Sequence, residues 1–346
     1  MSRIAVVLFS LGGPSSRDTV EPFLFNLFSD PAIIALPNPL RWLVARLIAH
    51  RRGPVAREIY ARIGDASPLL ANTEAQARAL ESALGGDVAT FIAMRHWHPL
   101  SAAAAQAVKD WRPDAVVLLP LYPQFSSTTT ASSLRAWHEA AARIGLRVPT
   151  RAVCCYPAQE GFIATVVERL VAAIALWPQG MKRRILLSAH GLPQRVVARG
   201  DPYQFQIETT AAAIRTRLGS AAGDLIVCYQ SRVGPRRWLE PATDAEIRRA
   251  GADGVGVIVA PIAFVSEHSE TLVELDIDYR HVAERSGVPR YVRVATVGDA
   301  PAFIAGLAAL VKAAQGASAA IAPADGRRLC PARFASCPCT GGRAAS

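Results

Sequence analysis

Six short runs of apolar, largely β-branched residues recur along the chain, at residues 4–10, 88–93, 115–120, 185–188, 225–229 and 255–261. Each is nearly continuous in apolar character, which is how a strand covered on both faces reads. Between them lie Ala/Leu/Arg segments of helical period, among them residues 73–84, 101–109, 161–176 and 204–218. This alternation predicts an α/β fold with parallel, doubly wound sheets. Length sets the number of units: 346 residues at about 150 per domain make roughly two. With 51% hydrophobic residues the chain can fill large cores, so a mainly disordered protein is ruled out.

The two halves echo each other in order. Ser10-Leu11-Gly12-Gly13-Pro14 resembles Ser188-Ala189-His190-Gly191-Leu192-Pro193, and Phe91-Ile92-Ala93-Met94-Arg95 parallels Val227-Cys228-Tyr229-Gln230-Ser231-Arg232. The run at 116–120 and its Ser/Thr-rich loop parallel the run at 257–261 followed by Ser266-Glu267-His268. Two similarly built, Rossmann-like domains are expected, at 1–150 and 151–315, followed by a Cys-containing tail at 316–346. Ligand is expected between the carboxyl ends of their strands.

Several function classes drop out. G-x-G-x-x-G is absent after the first run and no P-loop occurs, so no nucleotide site is expected. Six cysteines are too few for a disulfide scaffold. The first apolar run is too short for a signal-peptide core, and no stretch of about 18 apolar residues exists, so the expected location is the cytoplasm. The net charge of +10 comes from scattered arginines, without a basic tail or zinc-finger spacing. That pattern favours an acidic ligand or an acidic lipid surface over nucleic acid.

One segment, at about 22–52, does not fit a sheet. It carries Phe23, Leu24, Phe25, Phe28, Ile33, Ile34, Trp42, Leu43 and Leu47, and it closes with Arg41, Arg46, Arg51 and Arg52. Ordinary amphipathic packing explains much of it. The alternative is an apolar lip, serving a ligand with a large apolar body or resting peripherally on the anionic inner face of a membrane.

His190 ends a buried run and is followed by a Gly- and Pro-bearing turn, which places its imidazole at the open end of a sheet. Such a His is commonly a packing residue. It gains weight from Phe264, His268 and Glu270 at the matching strand end, beyond which Glu274 and Asp278 follow at i, i+4 and i+8. On an α-helix that spacing puts three carboxylates on one face, at a cost in repulsion that a solvated stripe or a use must explain. A His facing carboxylates suits proton transfer and divalent-metal ligation equally. No His-Glu-x-x-His occurs, so a zinc hydrolase is not expected.

With these residues assembled, the chain resembles the ferrochelatase family. The motifs are Leu11-Gly12-Gly13-Pro14, Ile63-Gly64-Asp65-Ala66-Ser67-Pro68-Leu69, Tyr122-Pro123-Gln124-Phe125-Ser126, Ser188-Ala189-His190-Gly191-Leu192-Pro193 and Gly200-Asp201-Pro202-Tyr203. Gln230-Ser231-Arg232-Val233-Gly234-Pro235 with Trp238-Leu239, and the stretch 261–278, complete the set in register over about residues 3–315. The resemblance implies insertion of Fe2+ into protoporphyrin IX, yielding protohaem and two protons, with the iron as substrate. It implies that His190 and Glu270 bind the entering metal or take pyrrole protons, with His268, Glu274 and Asp278 in support. Leu11, Tyr60, Ser67, Arg95, Tyr122, Tyr203, Trp238 and Phe264 match positions against the macrocycle. Arg95 or the lip arginines are the candidate cations for the propionates.

Cys330, Cys337 and Cys339 stand in the tail without the paired C-x2-C spacing of a zinc knuckle. Some ferrochelatases carry a C-terminal iron–sulfur cluster, and this tail resembles the bacterial kind. The resemblance implies a 2Fe–2S centre on these three thiolates and one of Cys154 and Cys155. Animal-type members place a cysteine after their Tyr-Pro-Gln-Tyr-Ser motif, where this chain has Ser126-Ser127-Thr128, so that ligand set does not transfer. Cys228 reads as core. The remaining alternatives are coproporphyrin as the ring, another metal in another tetrapyrrole, and a porphyrin carrier without turnover.

Overall fold

The computed structural model describes residues 2–232, 234, 236–324 and 326–339. Val233 and Pro235 of the motif at 230–235, with the last seven positions of the expected tail, lie outside the described residues. The strands, in chain order, are β1 (Ile4–Ser10), β2 (Val88–Met94), β3 (Ala115–Pro120), β4 (Thr150–Val153), β5 (Arg183–His190), β6 (Asp224–Gln230), β7 (Gly256–Pro261), β8 (Tyr291–Arg293) and β9 (Ile321–Ala322). The longer helices are α1 (Val20–Phe28), α2 (Leu40–Ala61), α3 (Leu69–Leu84), α4 (Ser101–Trp111), α5 (Thr130–Arg143), α6 (Glu160–Ala175), α7 (Gln194–Ala198), α8 (Tyr203–Leu218), α9 (Thr243–Ala252), α10 (Tyr279–Arg285) and α11 (Pro301–Gly316). A further helix, Glu270–Asp278, is wound as a π-helix.

Two compact units divide the chain. The first comprises residues 2–155 with Leu307–Arg328, the second Tyr156–Gly306 with residues 329–339. The first sheet has the order β2-β1-β3-β4-β9 and the second β6-β5-β7-β8, every described pair parallel. Each sheet thus lays down its strands second, first, third, fourth, the doubly wound order whose switch point falls between its first and third strands. The halves echo in sequence because they repeat in topology.

All six expected strands are present: the inner ones, β1, β3, β5 and β7, are almost wholly buried, while β2 and β6 at the sheet edges are partly exposed. Val6, Val7, Leu8 and Phe9 of β1, and Val257, Ile258 and Val259 of β7, have no exposed surface. In the first unit Phe9 packs on Trp137 of α5 beside Val7, Leu118 and Val108. In the second, Leu186, Ile247, Val257, Val259 and Leu275 form the corresponding core. Cys228 is core as expected, and burial pushes its thiol up to about 12, so it stays protonated.

The apolar lip divides into two parts. Phe23, Leu24 and Val20 on α1 are buried against Ala49 and Tyr60 of α2, which is amphipathic packing. Leu40, Trp42, Leu43 and Leu47 of α2 remain exposed, beside Arg46, Arg51 and Arg52. The Arg46 guanidinium lies 5.7 Å from the Trp42 ring. No helix among the described residues is long and apolar enough to cross a membrane.

Candidate active site

In the second unit the switch point lies between β5 and β7, and the chemistry gathers at the carboxyl ends of these strands and of β6. Strand register does the first part of the work: β5 and β6 pair His190 with Gln230, so Ser231 emerges beside the imidazole. Beyond β7 the chain turns through Phe264 and enters the π-helix at Glu270. His190 Nδ1–H donates to Glu270 Oε2 at 2.8 Å, with the two side chains 37% and 26% exposed. A carboxylate can only accept, so this bond fixes Nδ1 as the protonated nitrogen. Phe264 stands edge-on to the His190 ring at 6.4 Å and against the His268 ring at 4.5 Å.

His268 is buried, donates from Nδ1 to the Ser266 carbonyl at 3.2 Å, and holds Nε2 4.0 Å from Glu270 Oε2. Glu274 accepts from the Ser231 backbone N–H at 2.8 Å, from Gln230 Nε2 at 3.2 Å and from the Tyr279 hydroxyl at 2.9 Å. The Ser231 hydroxyl touches both acids, bonding to Glu270 Oε2 and to Glu274 Oε2. Gln230 is fully buried, and its side-chain oxygen accepts from Ser188 of β5.

The i, i+4, i+8 pattern was expected to wind as an α-helix. It winds instead with N–H to carbonyl bonds five residues apart, and Tyr279 N–H closes the last turn on the Glu274 carbonyl. The wider turn changes which side chains align, yet Glu270 and Glu274 still meet on Ser231. Asp278 ends the π-helix, partly buried.

These contacts separate the proton affinities. Burial alone raises the Glu270 carboxyl, but the His190 charge and hydrogen bond outweigh it and pull the group down to about 2. Burial lowers the His190 imidazole, and the Glu270 carboxylate reverses this and lifts it above its ordinary value. His268 is lowered by burial and stays neutral. Glu274 is raised, first by burial and then by the Glu270 charge. Of the two imidazoles His190 is the more basic, because a carboxylate faces it.

Tyr203, at the start of α8, is buried and donates its hydroxyl to the His190 carbonyl at 3.0 Å. Trp238 lies over the His190-Gly191 turn. A Cβ at Gly191 would stand 2.8 Å from the Gln230 carbonyl and 3.5 Å from the Trp238 ring, so only glycine allows this approach. The tail folds onto the same turn of α8: Phe334 packs on Phe205 at 5.3 Å, Gln206 Nε2 donates to Cys330 Sγ at 3.1 Å, and Ser336 N–H donates to the Gly200 carbonyl at 3.1 Å.

The first unit places its named residues at the ends of its own strands. Leu11 follows β1, Arg95 follows β2 and Tyr122 follows β3. Tyr60 ends α2 and Ser67 sits in the turn before α3, packed so closely on Gly13 that a Cβ there would lie 2.4 Å from Ser67 Oγ. Arg95 was a candidate cation for a propionate. Its guanidinium is already engaged, with Nη2 2.8 Å from the fully buried Asp30 and Nε donating to Ser132 at 2.7 Å.

Cys330, Cys337 and Cys339 are all buried, as are Cys154 and Cys155 after β4. The Sγ atoms of Cys337 and Cys339 lie within 4.8 Å of each other, close enough to ligate one soft metal centre. The residues present therefore fit a thiolate-bound group.

The family model for ferrochelatase matches residues 3–315. The chain belongs to the ferrochelatase family. It is 50% identical to the ferrochelatase of Hyphomonas neptunium over 343 residues, covering 97% of this chain and 94% of that one. The Caulobacter vibrioides ferrochelatase is 49% identical over 349 residues, covering 99% of each, and that of Rickettsia bellii is 43% identical over 344, covering 97% and 95%. The solved structure of SirB from Bacillus subtilis with Fe3+ aligns with a TM-score of 0.51 at 12% identity, over 91% of this chain and 96% of that one. At that identity the likeness concerns the fold alone. Membership makes the chain an enzyme that inserts a metal into a porphyrin, with Fe2+ as the substrate metal.

Sequence reasoning named His190, Glu270, His268 and Glu274, which the structure brings together. It passed over Ser231, Gln230 and Tyr279 as site residues. The available signal was position: Gln230-Ser231 ends β6 just as His190 ends β5.

Proposed function

We propose that this ferrochelatase inserts Fe2+ into protoporphyrin IX, releasing two protons and giving protohaem as the last step of haem formation. The His190–Glu270 hydrogen bond, backed by Ser231 and Glu274, carries the reading. A flat porphyrin keeps its two N–H groups in the ring plane, where a metal cannot reach all four nitrogens. Contacts with Tyr203, Trp238 and Phe264 on one side of the ring, using binding energy remote from the nitrogens, pucker it. His190 takes a pyrrole proton because the ionised Glu270 stabilises the resulting imidazolium. Glu274, raised by burial and by Glu270, is the second acceptor, relayed through the Ser231 hydroxyl. Once its proton has left, the imidazole with Glu270 holds Fe2+ weakly enough to release it into the ring. Asp278 continues the acidic row toward solvent.

The deciding experiment is an anaerobic assay with ferrous iron against protoporphyrin IX and coproporphyrin III, wild type beside His190→Ala and Glu270→Gln. Turnover of protoporphyrin supports the reading. Preference for the more acidic ring moves the enzyme to the other substrate, and tight binding without turnover makes it a carrier.

Cys330, Cys337 and Cys339, with one of Cys154 and Cys155, hold a 2Fe–2S centre. Such a centre supplies one-electron chemistry, which metal insertion does not use. Iron and sulfide analysis with visible spectra of wild type and Cys337→Ser tests this. The exposed Leu40, Trp42, Leu43 and Leu47 with the arginines beside them dock the protein on an anionic membrane surface. Flotation with anionic liposomes should be lost when Trp42, Leu43 and Leu47 become Ser; unchanged flotation removes the membrane from the reading.

A further inference from the structure

The π-helix is gripped from β8, through contacts that do not include His190. Strand β8 is paired to β7, with Val257 opposite Tyr291 and Val259 opposite Arg293, so both side chains leave a fixed backbone. The buried Tyr291 donates its hydroxyl to the Leu275 carbonyl, within the π-helix, at 2.6 Å. Arg293 Nη1 donates to both oxygens of Glu267, at 2.9 and 3.1 Å, while its Nε stands 3.4 Å from Asp276 Oδ2. Glu267 also accepts the Thr296 backbone N–H at 2.8 Å. Arg280 completes the grip, donating to Asp276 at 2.7 Å and to the Tyr291 carbonyl at 3.3 Å.

The arrangement brackets the reactive acids. Glu267 comes three residues before Glu270 and Asp276 two after Glu274, so Arg293 spans the segment that carries both. A π-helix is a rare winding and competes with the α-helix for the same residues. Ties from outside the helix that fit only one winding are what decide between them. We propose that Tyr291 and Arg293 are positioning residues that hold Glu270–Asp278 in the π register, so that Glu270 reaches His190 while Glu274 reaches Ser231. The catalytic consequence rests on the metal-insertion reading; the mechanical one does not.

Hydrogen–deuterium exchange of full-length protein separates the two. Tyr291→Phe removes one hydroxyl and nothing else, and Arg293→Met keeps the stem but loses the charge and the fork. Amides of 270–278 should exchange about tenfold faster in both, but not in Arg217→Met, which lies outside the grip. In the insertion assay kcat should fall about tenfold with porphyrin KM within about twofold, the signature of displaced chemistry and intact binding. Arg293→Lys should recover part of the loss. Unchanged exchange in Tyr291→Phe and Arg293→Met overturns the proposal, as does faster exchange with unaltered kcat. If Arg293→Met fails to fold, Tyr291→Phe decides alone. Faster exchange in a protein whose wild type shows no turnover supports the grip and removes the metal-insertion reading.

Discussion

Ser231 turns its backbone N–H onto Glu274 at 2.8 Å from a φ of +61°, a conformation that side-chain-bearing residues rarely adopt. Its hydroxyl then reaches Glu270 and Glu274 together, so one strained residue keeps two like-charged acids side by side. Ser231→Gly relieves the backbone and keeps the N–H but loses the hydroxyl, whereas Ser231→Ala loses the hydroxyl and keeps the strain. Both should lower kcat by about tenfold or more if the hydroxyl relays a proton. The glycine variant should be the more stable in thermal unfolding. Equal activity in wild type and Ser231→Gly would show that the hydroxyl carries no proton.

The His190–Glu270 bond predicts a loss of basicity when it is broken. Burial lowers the imidazole and Glu270 is the main group that lifts it, so in Glu270→Gln only the weaker Glu274 charge opposes burial and the His190 pKa should drop from its raised value. An NMR titration of the metal-free protein reads this directly. Turnover should fall at least about 100-fold in Glu270→Gln and His190→Ala, and the double variant should be little worse than either, because the two act as one unit.

Glu267 gives the acid limb of stability. Burial raises its carboxyl, but Arg293 and the hydrogen bonds from Thr271 and Thr296 bring it below the ordinary value. A group depressed on folding stabilises above its unfolded pKa of about 4.3 and loses that contribution as pH falls through its folded value. Unfolding free energy should therefore decline below about pH 4.3 in wild type, and less steeply in Glu267→Gln. Parallel acid limbs would exclude Glu267 as a contributor.

Gly191→Ala probes the packing over His190. With the Gln230 carbonyl 2.8 Å from the new Cβ, either β6 or the His190 turn must shift. The cost should be about 1–3 kcal/mol in chemical denaturation, accompanied by a loss of kcat larger than the change in porphyrin affinity.

The inner strands β1, β3, β5 and β7 were legible because burial on both faces leaves an unbroken apolar run, and His190 was legible because a strand end is where a sheet exposes chemistry. Strands β4, β8 and β9 were not: they are four, three and two residues long, with Arg151 and Arg293 inside the first two. The π winding was hidden because acids at i, i+4 and i+8 read naturally as an α-helical face. What selects the other winding sits on β8, some fifteen residues further along. Phe23 reads as part of an exposed lip until α2 is seen to cover it, and nothing in the sequence pairs Arg95 with the buried Asp30. In each case the missing information was a partner distant in sequence.

The chain's last described residues rest on the turn that steadies the imidazole. Phe334 and Ser336 lie on α8 and Gly200, three residues from Tyr203, whose hydroxyl holds the His190 carbonyl. A protease nicking the exposed Arg333 would thus loosen contacts that lead to the His190–Glu270 pair.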